Sequence, residues 1–211
     1  MTERWKNSPN IRLLHCLKCG SKLSGLASDR LFFCCSCRLA YDMKEQSESR
    51  VYPVTFANLK YDTDIQTVWL PVWRFKLKQG VFSEDSVSEL TQPDSIWIFG
   101  FMLKRLQLYG NVYAEFNKLD SKPVFDGKAQ KVIGAELNEE QARRLVRPVL
   151  MSITGHHVTV DHLDHSTGIT QSALRAIPFY VRPDSLVYPM QDFAIKRVLI
   201  CFNDHLDQCK R

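Results

Sequence analysis

No stretch of this chain is long and apolar enough to cross a bilayer. The two most apolar runs, Val68 to Val72 and Ile96 to Leu103, fall well short of the roughly 20 residues that a spanning helix needs. The opening residues, Met1 to Pro9, carry no apolar run behind their charges and so do not read as a secretory signal. Low-complexity sequence is missing too, with only nine Gly and nine Pro among 211 residues. There is no P-loop, no G-x-G-x-x-G, no H-E-x-x-H and no G-x-S-x-G. These absences point to a soluble, cytoplasmic chain without a recognisable catalytic signature. Its composition is ordinary, and its length suits one small module followed by one domain.

What is present is concentrated at the start. Seven cysteines is an odd count, and four of them form two close pairs, Cys16/Cys19 and Cys34/Cys37. That pattern fits metal ligation in a reducing compartment better than a disulfide framework. The leftover Cys35, Cys201 and Cys209 read as buried or inert thiols. Charge is uneven in the same way. Residues 1–40 hold seven basic side chains (Arg4, Lys6, Arg12, Lys18, Lys22, Arg30 and Arg38) against Glu3 and Asp29, which accounts for the whole formal net charge of +5.

The paired cysteines sit in Cys16-Leu-Lys-Cys19-Gly20 and Cys34-Cys35-Ser36-Cys37, separated by fourteen residues. A C-x2-C pair lets one tight turn present two sulfurs to a single ion while backbone N–H groups stabilise their charge. Gly20 suits the positive φ that such a turn often needs. The spacer has turn signals at Ser24-Gly25 and Ser28-Asp29 and ends in Leu31-Phe32-Phe33, which reads as a short strand. Tyr41, just past the second pair, is placed to cover the site. Zinc is the favoured ion, although the same cage can hold a single iron.

On these residues the segment 14–42 resembles the zinc ribbon (rubredoxin-like) family. The resemblance implies a structural metal held by Cys16, Cys19, Cys34 and Cys37 on a small β-hairpin framework, and a module that binds nucleic acid or protein. Two departures stand out: Arg38 occupies a position where glycine is common, and Cys35 is an extra thiol able to replace a neighbour. Only Cys34 and Cys37 reproduce the two-residue gap. Four protein ligands leave no open position for substrate or water, so the site is not expected to be catalytic. A hairpin this short is expected to unfold without its metal.

The remainder divides into a polar linker at 43–50 and an α+β domain at 51–211, mainly β with one or two helices. Trp69, Trp73, Phe75 and Leu77 alternate with Arg74, Lys76 and Lys78 as in a half-buried strand. Further strands are expected at Ile96 to Leu103, Val112 to Phe116, Val158 to Leu163 and Val198 to Phe202. One helix is signalled by the capping pair Asn138/Gln141, by Glu139 and Glu140 in its first turn, and by Ala142, Leu145, Val146 and Val149 at helical spacing. Arg143, Arg144 and Arg147 should share its solvated side, and Pro148 should kink or end it. A faint echo between Leu70-Pro-Val-Trp-Arg-Phe75 and Ile177-Pro-Phe-Tyr-Val-Arg182 raises an internal duplication, with each proline at a sheet edge or bulge. The aromatics Trp69, Trp73, Phe75, Trp97, Phe99 and Phe101 read as core.

The segment from His156 to His165 gathers four histidines and two aspartates, from which a second metal site or an acid–base pair can be drawn. Its spacing matches no catalytic motif, and a polar hairpin is the better reading. The whole points to a non-enzymatic, zinc-binding adaptor that docks a protein partner. The alternative is nucleic-acid binding through the basic ribbon. Against that alternative, four thiolates and one zinc leave about −2 at the site, which Lys18, Lys22 and Arg38 can offset.

Overall fold

A continuous apolar run from Val68 to Trp73, followed by alternation to Leu77, builds the middle of the fold. The computed structural model describes residues 15–43, 50–58, 65–78, 93–104, 107–119, 123–154 and 168–206. Its strands are β1 (Leu31–Cys34), β2 (Leu39–Asp42), β3 (Arg50–Phe56), β4 (Thr67–Leu77), β5 (Ser95–Phe99), β6 (Ile169–Val181), β7 (Ser185–Val187) and β8 (Ala194–Lys196). They form one sheet in the order β1-β2-β3-β6-β4-β5, and β7 with β8 continues from the far end of β6. All neighbours are antiparallel except β3 and β6. With α1 (Gln107–Asn117), α2 (Glu139–Thr154) and the one-turn α3 (Asn203–Leu206), the protein is mostly sheet with helices, an α+β arrangement.

The half-buried strand expected around Trp69 is buried more deeply than alternation implies. From Val68 to Trp73 every residue of β4 is buried, and alternation resumes only from Arg74. The strand lies between β6 and β5, and both of its faces are covered. On one face Trp73 Nε1 donates to Leu137 O at 3.0 Å, and the Arg143 guanidinium lies 5.6 Å from the centre of the Phe75 ring. On the other, Phe99 packs against Tyr113, Phe116, Phe179 and Phe193 with ring centres 4.8–6.1 Å apart. The six aromatics named as core are all 5% exposed or less.

Both prolines of the echoed segments lie inside interior strands rather than at an edge. Leu70 pairs with Ile177, so the two segments are antiparallel neighbours. Pro71 is tolerated because its missing N–H falls opposite Gly100. Gly100 N donates to Pro71 O at 2.7 Å, while Gly100 O receives the Leu137 N–H at 2.7 Å in place of the donor that proline lacks. A Cβ at Gly100 would stand 2.8 Å from the proline ring, so this close approach requires glycine. Pro178 falls between the end of the β3 pairing at Ala176 and the start of the β7 pairing at Tyr180.

Two other expectations are corrected, and a third, that Pro148 would kink or end its helix, is narrowed. Val112 to Phe116 is helix, part of α1, not strand. Tyr113, Ala114 and Phe116 are buried while Asn111 and Glu115 are exposed, a helical pattern that five residues alone cannot separate from a strand. Val198 to Phe202 is not a strand either: a single 3-10 turn covers Arg197–Leu199, and only Ile200 makes a bridge, to Leu103. Pro148 does not end α2, which runs on to Thr154. It sits on the exposed side with Arg144, where water can serve the carbonyl that loses its donor.

The start of α2 follows the capping pair. Asn138 N donates to Gln141 Oε1 at 3.1 Å, and Gln141 N donates to Asn138 Oδ1 at 3.0 Å, satisfying two orphan donors reciprocally. Of the three arginines expected in solvent, Arg143 is half-buried over Phe75 and pairs with Glu139 at 2.8 Å. The strand expected at Val158 to Leu163, the His156–His165 segment and most of the 43–50 linker lie outside the described residues.

Candidate metal centre

The hairpin β1–β2 serves two interiors at once. Side chains on a strand alternate between faces, so Leu31, Phe33 and Ala40 enter the main core. Phe32, Cys34 and Tyr41 face the other way and join Cys16 and Leu23 in a second, small cluster. The segment before β1 is held against the hairpin by antiparallel bridges between Ser24 and Phe33 and between His15 and Lys22. Cys16 and Cys19 lie in the turn that the His15–Lys22 bridge closes, and Cys34 and Cys37 lie at the turn that the β1–β2 pairing closes.

The first turn is fixed by Gly20 N donating to Cys16 O and Cys16 N donating to Ser21 O, both at 2.8 Å. Gly20 adopts φ +73°, the left-handed conformation that its place after the second cysteine requires. At the second turn Arg38 adopts φ +54°. The arginine found where glycine is common therefore occupies the same left-handed region. It is the only non-glycine residue to do so among those described. Its carbonyl accepts Val54 N at 2.8 Å, fixing the turn to β3.

The Sγ atoms of Cys16, Cys19, Cys34 and Cys37 all lie within 4.8 Å of one another, and Cys19 Sγ is 3.5 Å from Cys34 Sγ. Four sulfurs about 2.3 Å from one ion stand about 3.8 Å apart, so the group can hold a metal ion with only small adjustments. Cys37 N points at Cys34 Sγ at 3.4 Å, the backbone donation that stabilises a ligating thiolate. Tyr41, 3% exposed, covers the cluster with its hydroxyl 3.0 Å from Cys16 Sγ.

The four thiols are not equivalent as acids. Burial opposes ionisation of Cys16, yet hydrogen bonds from the Tyr41 hydroxyl and from the backbone of Cys19 and Lys18 outweigh it and bring the thiol down to about 6. Hydrogen bonds from Ser21 also lower Cys19. Burial pushes Cys34 up, while sharing a proton with Cys19, together with burial, pushes Cys37 up to about 12. Two thiols give up their protons readily and two hold them, so a cation entering the cage must displace protons.

The remaining expectations sort cleanly. Cys35 stands apart from the cluster and donates to Gln130 O at 3.4 Å, so it does not replace a ligand in this arrangement. Cys201, expected to be buried or inert, is exposed, and Cys209 lies outside the described residues. Arg30, counted in the basic patch, is committed to Asp42 at 3.1 Å. Arg4, Lys6 and Arg12 are also outside the described residues. Lys18, Lys22 and Arg38 are exposed around the cluster.

Sequence reasoning missed the bracing of the hairpin. Asp42 is 1% exposed and accepts Arg30 Nε on one oxygen and Asn138 Nδ2, at 3.0 Å, on the other. The residue that caps α2 therefore also anchors the end of β2. Arg30 N and Leu31 N both donate to Ala135 O, at 2.8 and 3.0 Å. Nothing in Asp42 itself separates it from the polar residues that follow; only its partners do, and one of them, Asn138, is 96 residues away. No helix among the described residues is long and apolar enough to cross a membrane. No family model, no curated protein and no solved structure matches this chain.

Proposed function

We propose that this protein is a non-enzymatic adaptor in which a zinc ribbon at 1–42, closed around one structural zinc ion, presents a fixed docking surface to a protein partner. The observation that carries this reading is Leu17. It stands between two of the cysteines and is 83% exposed, an apolar side chain at the tip of a turn that metal ligation would hold rigid. A rigid, exposed apolar residue binds a partner with little ordering entropy to lose. Bound zinc would supply folding energy and rigidity here, since four thiolates leave it no open position. Unpaired thiols fit a reducing, cytoplasmic compartment.

Nucleic-acid binding draws support from the exposed Lys18, Lys22 and Arg38, but these also offset the negative charge of a loaded thiolate cage. Salt dependence separates the readings, because phosphate contacts weaken steeply as salt rises.

Metal analysis of the purified protein should find one zinc per chain and no visible absorbance; a red protein would mean iron instead. Crosslinking capture with wild type and Leu17→Asp should then recover a partner only with wild type, at equal zinc content. Full capture by Leu17→Asp, or a protein without metal, would overturn the proposal.

A further inference from the structure

Two arginines share one face of the sheet without a counter-charge among the described residues. In the register of β4 and β6, Val72 pairs with Arg175 and Arg74 with Ala173, which makes Arg74 and Arg175 diagonal neighbours. Both are half-buried, and the Nε atom of each is buried without a partner. Arg175 donates to Thr55 Oγ1, and no carboxylate among the described residues pairs with either arginine. Aromatic rings form the walls. The Arg74 guanidinium lies 5.7 Å from the centre of Trp97 and that of Arg175 lies 4.8 Å from Phe125, while the two rings stack at 5.6 Å.

The aromatic faces orient both guanidinium forks and exclude water, but they supply no net negative charge. Burial, and then the neighbouring Arg74, hold the Arg175 guanidinium below its usual range. Two like charges in this setting destabilise the protein unless a negative charge completes the arrangement, and none of the described residues supplies it. A carboxylate fills one fork; a phosphate has enough oxygens for both. Lys76, exposed and two residues along the same face of β4, extends the positive stripe toward solvent.

We propose that Arg74 and Arg175 form a binding site for the phosphate group of a small anionic ligand, with Trp97 and Phe125 as its walls. The site is separate from the cysteine cluster and does not depend on the adaptor reading.

The test is titration of the full-length, metal-loaded protein with inorganic phosphate at constant ionic strength, chloride being the reference. Phosphate should raise the unfolding temperature of wild type. Arg74→Gln and Arg175→Gln should each weaken phosphate binding about tenfold or more, and the double variant should abolish it with metal content unchanged. In chloride alone the double variant should unfold no lower than wild type, because an uncompensated charge pair has been removed. Should the glutamine variants fail to fold, Arg74→Lys and Arg175→Lys keep the charge but lose the fork and should still lose most of the response. Glycerol phosphate identifies the source: tighter binding than inorganic phosphate marks a phosphomonoester site, and equal binding a site for the free ion. Equal unfolding temperatures of wild type in phosphate and chloride, or a phosphate response that survives in the double variant, would overturn the proposal.

Discussion

The main core and the cysteine cluster share two strands, β1 and β2, yet solve opposite problems. The core gathers Trp73, Phe75, Phe99, Phe116 and Phe179, all fully buried, and needs nothing beyond its own side chains. The cluster has five buried members, Cys16, Leu23, Phe32, Cys34 and Tyr41, and two of these belong to the four-cysteine cage. That is too little apolar area to order a segment unaided. The hairpin nonetheless belongs to both, since Leu31 and Phe33 are 0% and 2% exposed in the main core. What would depend on a bound ion is therefore the first cysteine turn rather than the hairpin as a whole.

Removing the metal should break the comparison most visibly. In isolated finger peptides a structural zinc supplies about 10 kcal/mol or more of apparent folding energy. Here that loss should be confined to one edge. After chelation, hydrogen exchange at residues 16–24 should approach the rate of an unfolded chain, while β1 and β2 keep partial protection and β4 and β6 are unchanged. Cys16→Ser combined with Cys37→Ser should reproduce the pattern without chelator. Loss of protection throughout β4 and β6 would mean that the two interiors unfold as one unit.

Adjacent residues on β1 separate the two interiors more finely. Phe33 is 2% exposed on the core side, and Phe32 is 8% exposed on the cluster side, where it lies so close to Gly25 that a Cβ there would meet its ring at 2.7 Å. Phe33→Ala should lower global stability by about 3–4 kcal/mol and leave metal content unchanged. Phe32→Ala should instead speed metal release to a chelator, with a much smaller change in the denaturation midpoint. Equal effects of both variants on both readouts would erase the distinction.

The same contrast governs what was legible in the sequence. Metal ligation and helix capping are local chemistry, so the four cysteines and the Asn138/Gln141 pair were readable from spacing alone. Burial set by distant neighbours was not. The continuous burial of β4 comes from cover on both faces, the helical state of Val112 to Phe116 from packing against Phe99, and the tolerance of Pro71 from a donor at Leu137. Arg74 read as a solvated residue of an amphipathic strand, because nothing in an alternating pattern reveals that Arg175 lies beside it and that no acid among the described residues does.

Asp29 closes the turn before β1, accepting Leu26 N at 2.7 Å, and its other oxygen is buried without a partner. Burial, helped by the nearby charge of Glu136, raises its carboxyl to about 6. The folded state thus holds the Asp29 proton more tightly than the unfolded chain does. Its contribution is fully present below about pH 4 and is lost as the pH rises through about 6. Asp29→Asn keeps the acceptor for Leu26 and has no charge to bury, so it should gain about 3 kcal/mol at pH 7 relative to wild type. That gain should disappear toward pH 4. Since metal retention also falls in acid, the test is the difference between the two proteins in urea titrations across this range. A difference that does not change with pH would show that Asp29 stays ionised when folded.

The smallest expected effect concerns the two cysteine turns. Gly20 and Arg38 occupy equivalent left-handed positions, but only glycine does so without steric conflict. An L-residue there costs about 1–2 kcal/mol, and the greater freedom of glycine in the unfolded chain takes back about 0.5–1 kcal/mol. Arg38→Gly should therefore stabilise the second turn by about 0.5–1 kcal/mol, seen as slower metal release and slower exchange at Val54 N, which bonds Arg38 O. The substitution also removes a cation from beside the thiolates, an opposing influence on metal affinity. Arg38→Ala separates the two, since it loses the charge and keeps the strain, and should show no gain. A gain in Arg38→Ala equal to that in Arg38→Gly would locate the effect in the side chain and leave the backbone of the two turns equivalent after all.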